Sequence, residues 1–235
     1  SLLGAKLGTG VVQMKRLFSL LLLPLYLFAK PVEFAVVIPS YNNEKWAENN
    51  VKSVARQTYP HFRVFYVNDK STDATGKVVD EFVKRKHLEK RFTIIHNEER
   101  AGCPLANFYK VISKLPPDVV VVNLDGDDQL YDKRVLEKLA KVYGTKDRRV
   151  WLTYGSFVSN PPGYPNSCAP FPADVLKKNS FRSHPFISSH LRTFYAKLFQ
   201  KIKKEDLLYQ GKFCPLAGDV AMMMPLLEMA SKGHI

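Results

Sequence analysis

The stretch that decides the fold is Val119-Val120-Val121-Val122-Asn123-Leu124-Asp125-Gly126-Asp127-Asp128. Its consecutive β-branched residues predict a fully buried strand at the centre of a parallel sheet. Ligands of open α/β sheets bind outside the carboxyl ends of the strands, and the acidic residues fall at that end. Because carboxylates packed this closely repel each other, we expect Mg²⁺ or Mn²⁺ among them. The alternative is a solvated turn, with Asp128 more suited to cap the next helix than to support the site.

Strand-like and helix-like segments alternate on both sides of this stretch. Strands are predicted over 34–39, 63–69, 92–97, 119–122 and 150–159, and helices over 44–57, 72–86, 103–114 and 132–143. Such alternation predicts an α/β fold with a Rossmann-like, doubly wound, mostly parallel sheet that carries helices on both faces. Residues 160–172 read as an irregular loop, and we expect two further helices over 190–204 and 219–232.

The composition is that of a globular protein with a strongly basic balance. The chain has 235 residues, 46% of them hydrophobic, and a formal net charge of +13. The charge fits an anionic partner such as nucleotide phosphates or an acidic membrane surface, or else a solvated basic face. No zinc-finger, RRM or helix-turn-helix signature accompanies it, so no nucleic acid is expected. Cys103, Cys168 and Cys214 show no metal-ligand spacing and are expected to be buried thiols, or to include a single bridge if the protein is exported.

The beginning of the chain is typical of a secretory signal peptide. Met14-Lys15-Arg16 is basic, and Leu17 to Phe28 is a short apolar run followed by a small residue. An uncleaved anchor and a buried N-terminal helix are the alternatives. We therefore divide the chain into an N-terminal extension with a signal-like segment, 1–30, and one domain, 31–235.

Five ordered segments carry a family resemblance. They are Val37 to Asn42, Ser53 to Tyr59, Val67 to Asp73, the stretch from Asn97 to Asn107, and Leu124 to Asp128. Together they resemble the inverting family 2 glycosyltransferases with the GT-A fold. The family's patterns at the first, second, third and fifth of these segments are V-I-P-x-Y-N, S-x-x-x-Q-T-Y, V-D-D-G-S-T-D and L-D-A-D-D. Lys70 departs from the pattern by replacing a Gly. The Q-x-x-R-W motif of processive synthases is absent, which favours a single addition per encounter.

The resemblance implies roles for residues at the ends of the strands. Tyr41 would lay its ring on a uracil and Asp69 would accept a hydrogen bond from the base, while Asp127 would bind the divalent cation. The implied nucleotide-sugar contacts at the strand ends are Pro39, Tyr41, Asp69, Asn107 and Asp125.

An inverting transfer also requires a base that takes the proton from the acceptor hydroxyl. The best match to the family's acidic base is Asp219, although Gly218 stands where the family usually has an acid. A helix N-cap is the alternative role for Asp219. Arg192 or His190, at the start of the helix predicted over 190–204, could reach the diphosphate or the acceptor, and we include Arg192 among the donor contacts. His234 lies near the end of the chain, where the family often has a late metal ligand, and a truncated C-terminus is considered.

The resemblance implies a metal-dependent, inverting glycosyltransferase of the hexosyltransferase type. It would move a sugar from a nucleotide-sugar, expected to be UDP-linked, to a hydroxyl of a glycan, glycolipid or protein. The alternative is a non-catalytic nucleotide-sugar or glycan-binding module of the same fold. The signal-like start favours the secretory pathway, an envelope or a membrane-associated setting, with the cytoplasm as an open alternative.

Overall fold

The computed structural model describes residues 30–145, 147, 149–163 and 168–235. The signal-like segment predicted within residues 1–30 therefore lies outside the described residues, apart from Lys30. In the part of the chain that is described, no helix is both long enough and apolar enough to cross a membrane.

A six-stranded sheet forms the centre of the molecule. Its strands are β1 (Phe34–Ser40), β2 (Phe62–Asn68), β3 (Phe92–His96), β4 (Val120–Asn123), β5 (Leu152–Gly155) and β6 (Ser189–Tyr195). Their order across the sheet is β3-β2-β1-β4-β6-β5. β1, β2, β3 and β4 pair in parallel, and β6 pairs antiparallel with both β4 and β5. The mostly parallel α/β fold is confirmed, with one reversed strand inside it.

The helices are α1 (Glu44–Ala55), α2 (Thr75–Arg85), α3 (Pro104–Ile112), α4 (Val135–Tyr143), α5 (Ala173–Lys178), α6 (Ala196–Phe199) and α7 (Gly218–Ala230). Two short strands, β7 (Leu208–Tyr209) and β8 (Lys212–Phe213), form a separate hairpin just before α7. Helices lie on both faces of the sheet, as predicted. Buried side chains of α1, α2 and α4 pack on one face, and those of α3 and α7 pack on the other.

The alternation of side chains along the central strands separates these two cores. Val36 and Ile38 of β1 face the core that contains α1, whereas Val37 faces the core that contains α3. In β4, Val122 faces the core that contains α1 and Val121 faces the core that contains α3. The valine run is therefore covered on both faces, which is why it carries no polar residue before Asn123.

The helix predicted over 190–204 is wrong. Residues 189–195 form β6, and only the four residues of α6 that follow are helical. The apolar spacing was interpreted as helical, but Thr193, Phe194 and Tyr195 are residue types that favour strands. They fill the gap between β4 and β5, where ladder hydrogen bonds require an extended chain.

The end of the chain packs beside β5. The backbone N–H groups of Trp151 and Leu152 donate to the carbonyl oxygen of His234, at 2.7 and 3.2 Å. The His234 ring stacks on Trp151 with ring centroids 3.6 Å apart, and its Nδ1 lies 2.5 Å from the carbonyl oxygen of Arg149. These contacts give His234 a packing role against the sheet.

Candidate active site

The acidic turn after β4 is held in place by α1. The side-chain amide of Asn50 donates to the carbonyl oxygens of Asp125 and Asp128, at 2.9 and 2.8 Å. Position 126 favours glycine, because a Cβ there would lie only 2.6 Å from Ser40 Oγ. The turn thus presents its carboxylates from a fixed backbone at the carboxyl edge of the sheet.

Asp69 follows β2 and is buried among hydrogen-bond donors. Its Oδ1 accepts from Asn97 Nδ2 at 2.7 Å and from the backbone of Ala101 at 2.8 Å, and its Oδ2 accepts from the backbone of Gly102 at 3.0 Å. Asn97 also donates to Asn107 Oδ1 at 2.8 Å. This network fixes Asp69 and leaves Oδ2 able to accept a further hydrogen bond from a ligand.

A cavity of about 320 Å³ lies between Asp69 and the acidic turn. It brings together the predicted donor contacts Pro39, Tyr41, Asp69, Asn107 and Asp125 and the predicted metal ligand Asp127. Positions that are up to 88 residues apart in the sequence, from 39 to 127, therefore line one space.

The same cavity includes Arg100, which the sequence analysis did not single out. Its guanidinium carbon lies 3.6 Å from the centroid of the Tyr41 ring. One face of Tyr41 is therefore covered by a cation in this structure, so a base that stacks on that face would have to displace Arg100. A basic residue in the loop before α3 was the signal available in the sequence.

A group of potential metal ligands lies beside the cavity. Ligand atoms of Asp125, Asp128 and His190 all lie within 4.8 Å of one another. His190 Nε2 is 3.8 Å from Asp125 Oδ2, and its Nδ1 is 3.8 Å from Asp128 Oδ2. Nδ1 is buried and has no hydrogen-bond partner. Two carboxylates with an unpartnered imidazole nitrogen fit a divalent cation such as Mn²⁺.

The structure differs from the sequence analysis on the neighbouring acids. Asp127 lines the cavity but does not belong to this group of ligands. Asp128 was expected to cap the next helix, which is wrong because α4 begins only at Val135. Its carboxylate faces His190 instead.

The electrostatics of the group also suit a cation. Partial burial raises the pKa of both Asp125 and Asp128, and the positive charge of His190 opposes this effect. Asp127 adds to the increase in both pKa values through charge repulsion, and Asp219 adds to that of Asp125. Negative charge is therefore costly here unless a cation offsets it.

Asp219, the predicted base, is the second residue of α7 and is paired with a buried cation. Arg192 is 4% exposed, and its Nη2 donates to Asp219 Oδ2 at 3.0 Å. Arg192 Nε donates to the carbonyl oxygen of Ser188 at 3.0 Å. Arg192 stands on β6 opposite Asn123, directly beside the strand that leads to the acidic turn. It lies on a strand rather than at a helix start, and it is not among the residues that line the donor cavity, so its role as a donor contact stays a prediction.

The three cysteines are free thiols, so no bridge joins them. Cys103 is buried, whereas Cys168 and Cys214 are half-buried. Burial raises the pKa of the Cys103 thiol.

Known proteins resemble this chain in both sequence and structure. "Putative teichuronic acid biosynthesis glycosyltransferase TuaG" of Bacillus subtilis is 33% identical over 104 residues, which are 44% of this chain and 39% of TuaG. The crystal structure of Staphylococcus aureus TarS 1–349 superposes with a TM-score of 0.63 at 21% identity, over 84% of this chain and 56% of that one. TarS 1–349 has also been solved with UDP and with UDP-GlcNAc.

A more distant structure contains a metal. Mannosyltransferase PcManGT from Pyrobaculum calidifontis, in complex with GDP-Man and Mn²⁺, superposes with a TM-score of 0.53 at 19% identity, over 74% of this chain and 49% of that one. This chain spans well under two thirds of the length of each of these proteins.

The family assignment rests on the greater part of the chain. The model of "Glycosyl transferase family 2" matches residues 35–203, a range that contains all five motifs, all of β1 except Phe34, and the strands β2 to β6. The superposition on TarS independently shows the GT-A fold. The chain therefore belongs to glycosyl transferase family 2.

Proposed function

We propose that this chain is a metal-dependent, inverting glycosyltransferase that moves a sugar from a UDP-sugar to a hydroxyl acceptor. One observation carries the proposal: the Asp69 pocket, the acidic turn and the Asp219–Arg192 pair meet at the carboxyl edge of one sheet. Relatives in the family support it, since TarS was solved with UDP and UDP-GlcNAc.

The donor would lie in the cavity between Asp69 and the acidic turn. Asp69 Oδ2, already fixed by the N–H of Gly102, would accept from the base, and Tyr41 and Arg100 would form one wall. Gly102 and Asp69 both line this cavity of about 320 Å³. These residues bind and orient the nucleotide.

A divalent cation would be held by Asp125, Asp128 and His190, with Asp127 facing the donor cavity. When bound, it would neutralise the diphosphate and stabilise the leaving UDP. The aspartates of the turn concentrate negative charge at this end of the cavity. Asn50 fixes the backbone of the turn, and so the direction of these carboxylates, by donating to the carbonyl oxygens of Asp125 and Asp128.

Asp219 would act as the base. As the acceptor oxygen forms its bond to the anomeric carbon, the bond from that carbon to the UDP oxygen breaks, and the acceptor proton passes to Asp219. Arg192 would hold the carboxylate in one orientation through its bond to Oδ2, while the N–H of Val220 binds Oδ1 at 2.9 Å. Attack from the side opposite the leaving group inverts the anomeric centre.

The acceptor class and the setting complete the proposal. We propose a glycan, glycolipid or protein hydroxyl as acceptor, in an envelope, secretory or membrane-associated setting. Support for an anionic surface nearby comes from the net charge of +13.

One observation favours a second candidate, a nucleotide-sugar binder without turnover. Both oxygens of Asp219 already have partners, since Oδ2 pairs with Arg192 and Oδ1 accepts from the N–H of Val220, which leaves fewer lone pairs for an acceptor hydroxyl. Such a module would bind UDP with Mn²⁺ but would not release UDP from a UDP-sugar.

The experiment measures UDP release from a panel of UDP-sugars with Mn²⁺, Mg²⁺ or EDTA. The unaltered chain is compared with Asp125→Asn, which alters a proposed metal ligand, and with Asp219→Asn, which alters the proposed base. Asp118→Asn is the matched control, because Asp118 lies at the amino end of β4, on the opposite edge of the sheet, where it pairs with Lys197. Metal-dependent release that is lost in both site variants and kept in the control supports the enzyme. UDP binding without release under any condition would support the binder.

A further inference from the structure

A second cavity lies next to the donor cavity and takes no part in the function proposed so far. Its volume is about 870 Å³, and Gly102 and Cys103 belong to both cavities. We name it the hairpin groove, because the β7–β8 hairpin forms one wall and the loop at the start of α3 forms the other. Its lining also includes Ala101, Ala106, Tyr209, Gln210, Lys212, Phe213 and Pro215.

The hairpin is anchored, so the groove has a fixed wall. Phe213 packs on Tyr109 of α3 with ring centroids 5.3 Å apart. The N–H of Cys214 donates to the carbonyl oxygen of Leu207 at 3.1 Å. The hairpin turns through Gln210 and Gly211, both with positive φ, at 51° and 75°. This tight turn places Tyr209 and Lys212 opposite each other in the strand register.

The lining of the groove contains an exposed aromatic ring, Tyr209, and a cation, Lys212, while a further cation, Lys204, lies outside the lining. Tyr209 is 63% exposed. Lys204 Nζ lies 5.8 Å from the ring centroids of both Tyr109 and Phe213. Within the described parts of the chain, neither Lys204 nor Lys212 forms an ion pair with a carboxylate. The acids that follow Lys204, Glu205 and Asp206, are likewise not paired with these lysines.

We propose that the hairpin groove binds the acceptor and that the acceptor is an anionic glycan. This inference rests on the proposed function. A sugar ring would pack on Tyr209, and a phosphate or carboxylate of the chain would bind Lys212. The groove lies next to the start of α7, because Gly218 packs against Leu105 of α3, where a Cβ at Gly218 would come 3.2 Å from Leu105 Cβ. An acceptor in the groove would therefore lie near Asp219, the next residue of α7. The shared residues Gly102 and Cys103 place acceptor and donor in adjoining spaces.

The test measures oligosaccharide binding by calorimetry with UDP and Mn²⁺ present. The probes are maltohexaose, phosphorylated maltohexaose and hexagalacturonate, which separate neutral, phosphate-bearing and carboxylate-bearing chains. We expect one or both charged probes to bind at least about tenfold more tightly than maltohexaose. The charged probe that binds identifies the anionic group.

The variants are Lys212→Gln and Tyr209→Ala, with Lys90→Gln as the matched control. Lys90 is also exposed, but it precedes β3 at the opposite edge of the sheet. Lys212→Gln should weaken the charged probe about tenfold and leave maltohexaose unchanged. Tyr209→Ala should weaken every probe that binds, by about threefold to tenfold. Lys90→Gln should change nothing.

UDP titration of the same samples separates the two proposals. If UDP binds but charged and neutral probes bind equally, or if Lys212→Gln has no effect, the anionic acceptor is wrong and the donor site stands. Vesicles with and without anionic lipid are a fourth probe. If Lys212→Gln weakens binding to the anionic vesicles and leaves every oligosaccharide unchanged, the groove is a membrane contact and the inference is overturned. If UDP binds to none of the samples, the proposed function fails and the inference fails with it.

Discussion

At the scale of one residue, the hydrogen bonds of Asp219 fix the orientation of its carboxylate and also occupy part of it. Both of its oxygens already accept hydrogen bonds, one from Arg192 and one from the N–H of Val220. These two hydrogen bonds leave the carboxylate fewer lone pairs for an acceptor hydroxyl. The compensation is orientation, since Arg192 is itself buried and held by the carbonyl oxygen of Ser188.

The first prediction concerns Asp219 and Arg192. Asp219→Asn should lower the rate of transfer about a hundredfold to ten-thousandfold, because the amide cannot accept the proton. Arg192→Lys keeps the charge but loses the fork that binds Ser188 and Asp219 together, so the rate should fall about tenfold. Both variants should bind UDP as the unaltered chain does. Steady-state rates and UDP titrations test this, and a loss of UDP affinity in Arg192→Lys would show instead that Arg192 binds the diphosphate.

The second prediction concerns the pH dependence of Asp125 and Asp128. Burial raises both pKa values, so each carboxyl favours folding while it is protonated and loses that contribution as the pH rises through its raised pKa. In EDTA, the double variant Asp125→Asn/Asp128→Asn should therefore gain stability over the unaltered chain between about pH 4 and pH 7. With Mn²⁺ the sign should reverse, because the cation binds only the ionised carboxylates.

Thermal unfolding measures this difference. The double variant must be compared with the unaltered chain at each pH, because Asp132 and Glu137 change the stability of both chains with pH in the opposite direction. Hydrogen bonds from Lys138 and Lys141 lower their pKa values, so their contribution is lost as the pH falls. A double variant that is less stable than the unaltered chain in EDTA, at the upper end of this range, would contradict the prediction.

The position of a single residue at the carboxyl edge was predictable where a motif follows a strand directly. Asp69 and Asp125 come within two residues of β2 and β4, so the direction of the strand alone sends them to the carboxyl edge. Arg100 and His190 were harder to assign, because their place depends on how a loop or a reversed strand returns to that edge. Asp128 was misjudged because the acidic turn is followed by a longer connection before α4 than the sequence indicated.

At the scale of elements, the start of α7 is conformationally costly. Ala217 precedes the helix with φ at 54°, in the left-handed region. This conformation costs a residue with a Cβ about 1–2 kcal/mol. Glycine avoids that cost but loses about 0.5–1 kcal/mol more conformational freedom on folding.

The third prediction follows from this difference. Ala217→Gly should raise the free energy of unfolding by up to about 1 kcal/mol. Ala140→Gly is the matched control within α4, where glycine should lower it by roughly 0.5–1 kcal/mol. Urea unfolding of both variants measures whether the free energy of unfolding rises in Ala217→Gly and falls in Ala140→Gly. Equal destabilisation in both would show that Ala217 does not adopt the left-handed conformation.

The antiparallel strand β6 is the strand of the central sheet that sequence patterns assigned to a helix. It is held by a buried hydroxyl cluster, in which Thr193 Oγ1 lies 2.8 Å from Tyr143 Oη and 2.6 Å from Thr153 Oγ1. Burial raises the pKa of Tyr143. Nothing in the local sequence of β6 reveals partners 40 and 50 residues away, so its place in the sheet is a tertiary effect.

The fourth prediction tests this cluster. Thr193→Val keeps the shape and strand preference of the side chain but removes its hydroxyl from Tyr143 and Thr153. The free energy of unfolding should fall by about 1–3 kcal/mol, because buried hydroxyls lose a partner. Thr93→Val on β3 is the matched control, since Thr93 is exposed and its substitution should change stability little. A Thr193→Val chain as stable as the control would mean that the cluster contributes nothing.

At the scale of the whole molecule, one edge of the sheet gathers all the functional residues. β1, β2 and β4 run in parallel, so the residues that follow them converge although they are far apart in the sequence. This convergence was predictable from the order of strand-like and helix-like segments, as was the pair of cores. The hairpin groove was not, because β7 and β8 have two residues each and give no periodic signal.

The most direct measurement is a titration of UDP into the unaltered chain, with Mn²⁺ or with EDTA, alongside Asp125→Asn and the control Asp118→Asn. A nucleotide-sugar enzyme of the proposed kind would bind UDP with one Mn²⁺ per chain, and would lose most of that affinity in EDTA and in Asp125→Asn but not in Asp118→Asn. Binding of UDP that is equally tight with and without the metal, and in Asp125→Asn, would contradict the proposed role of the acidic turn.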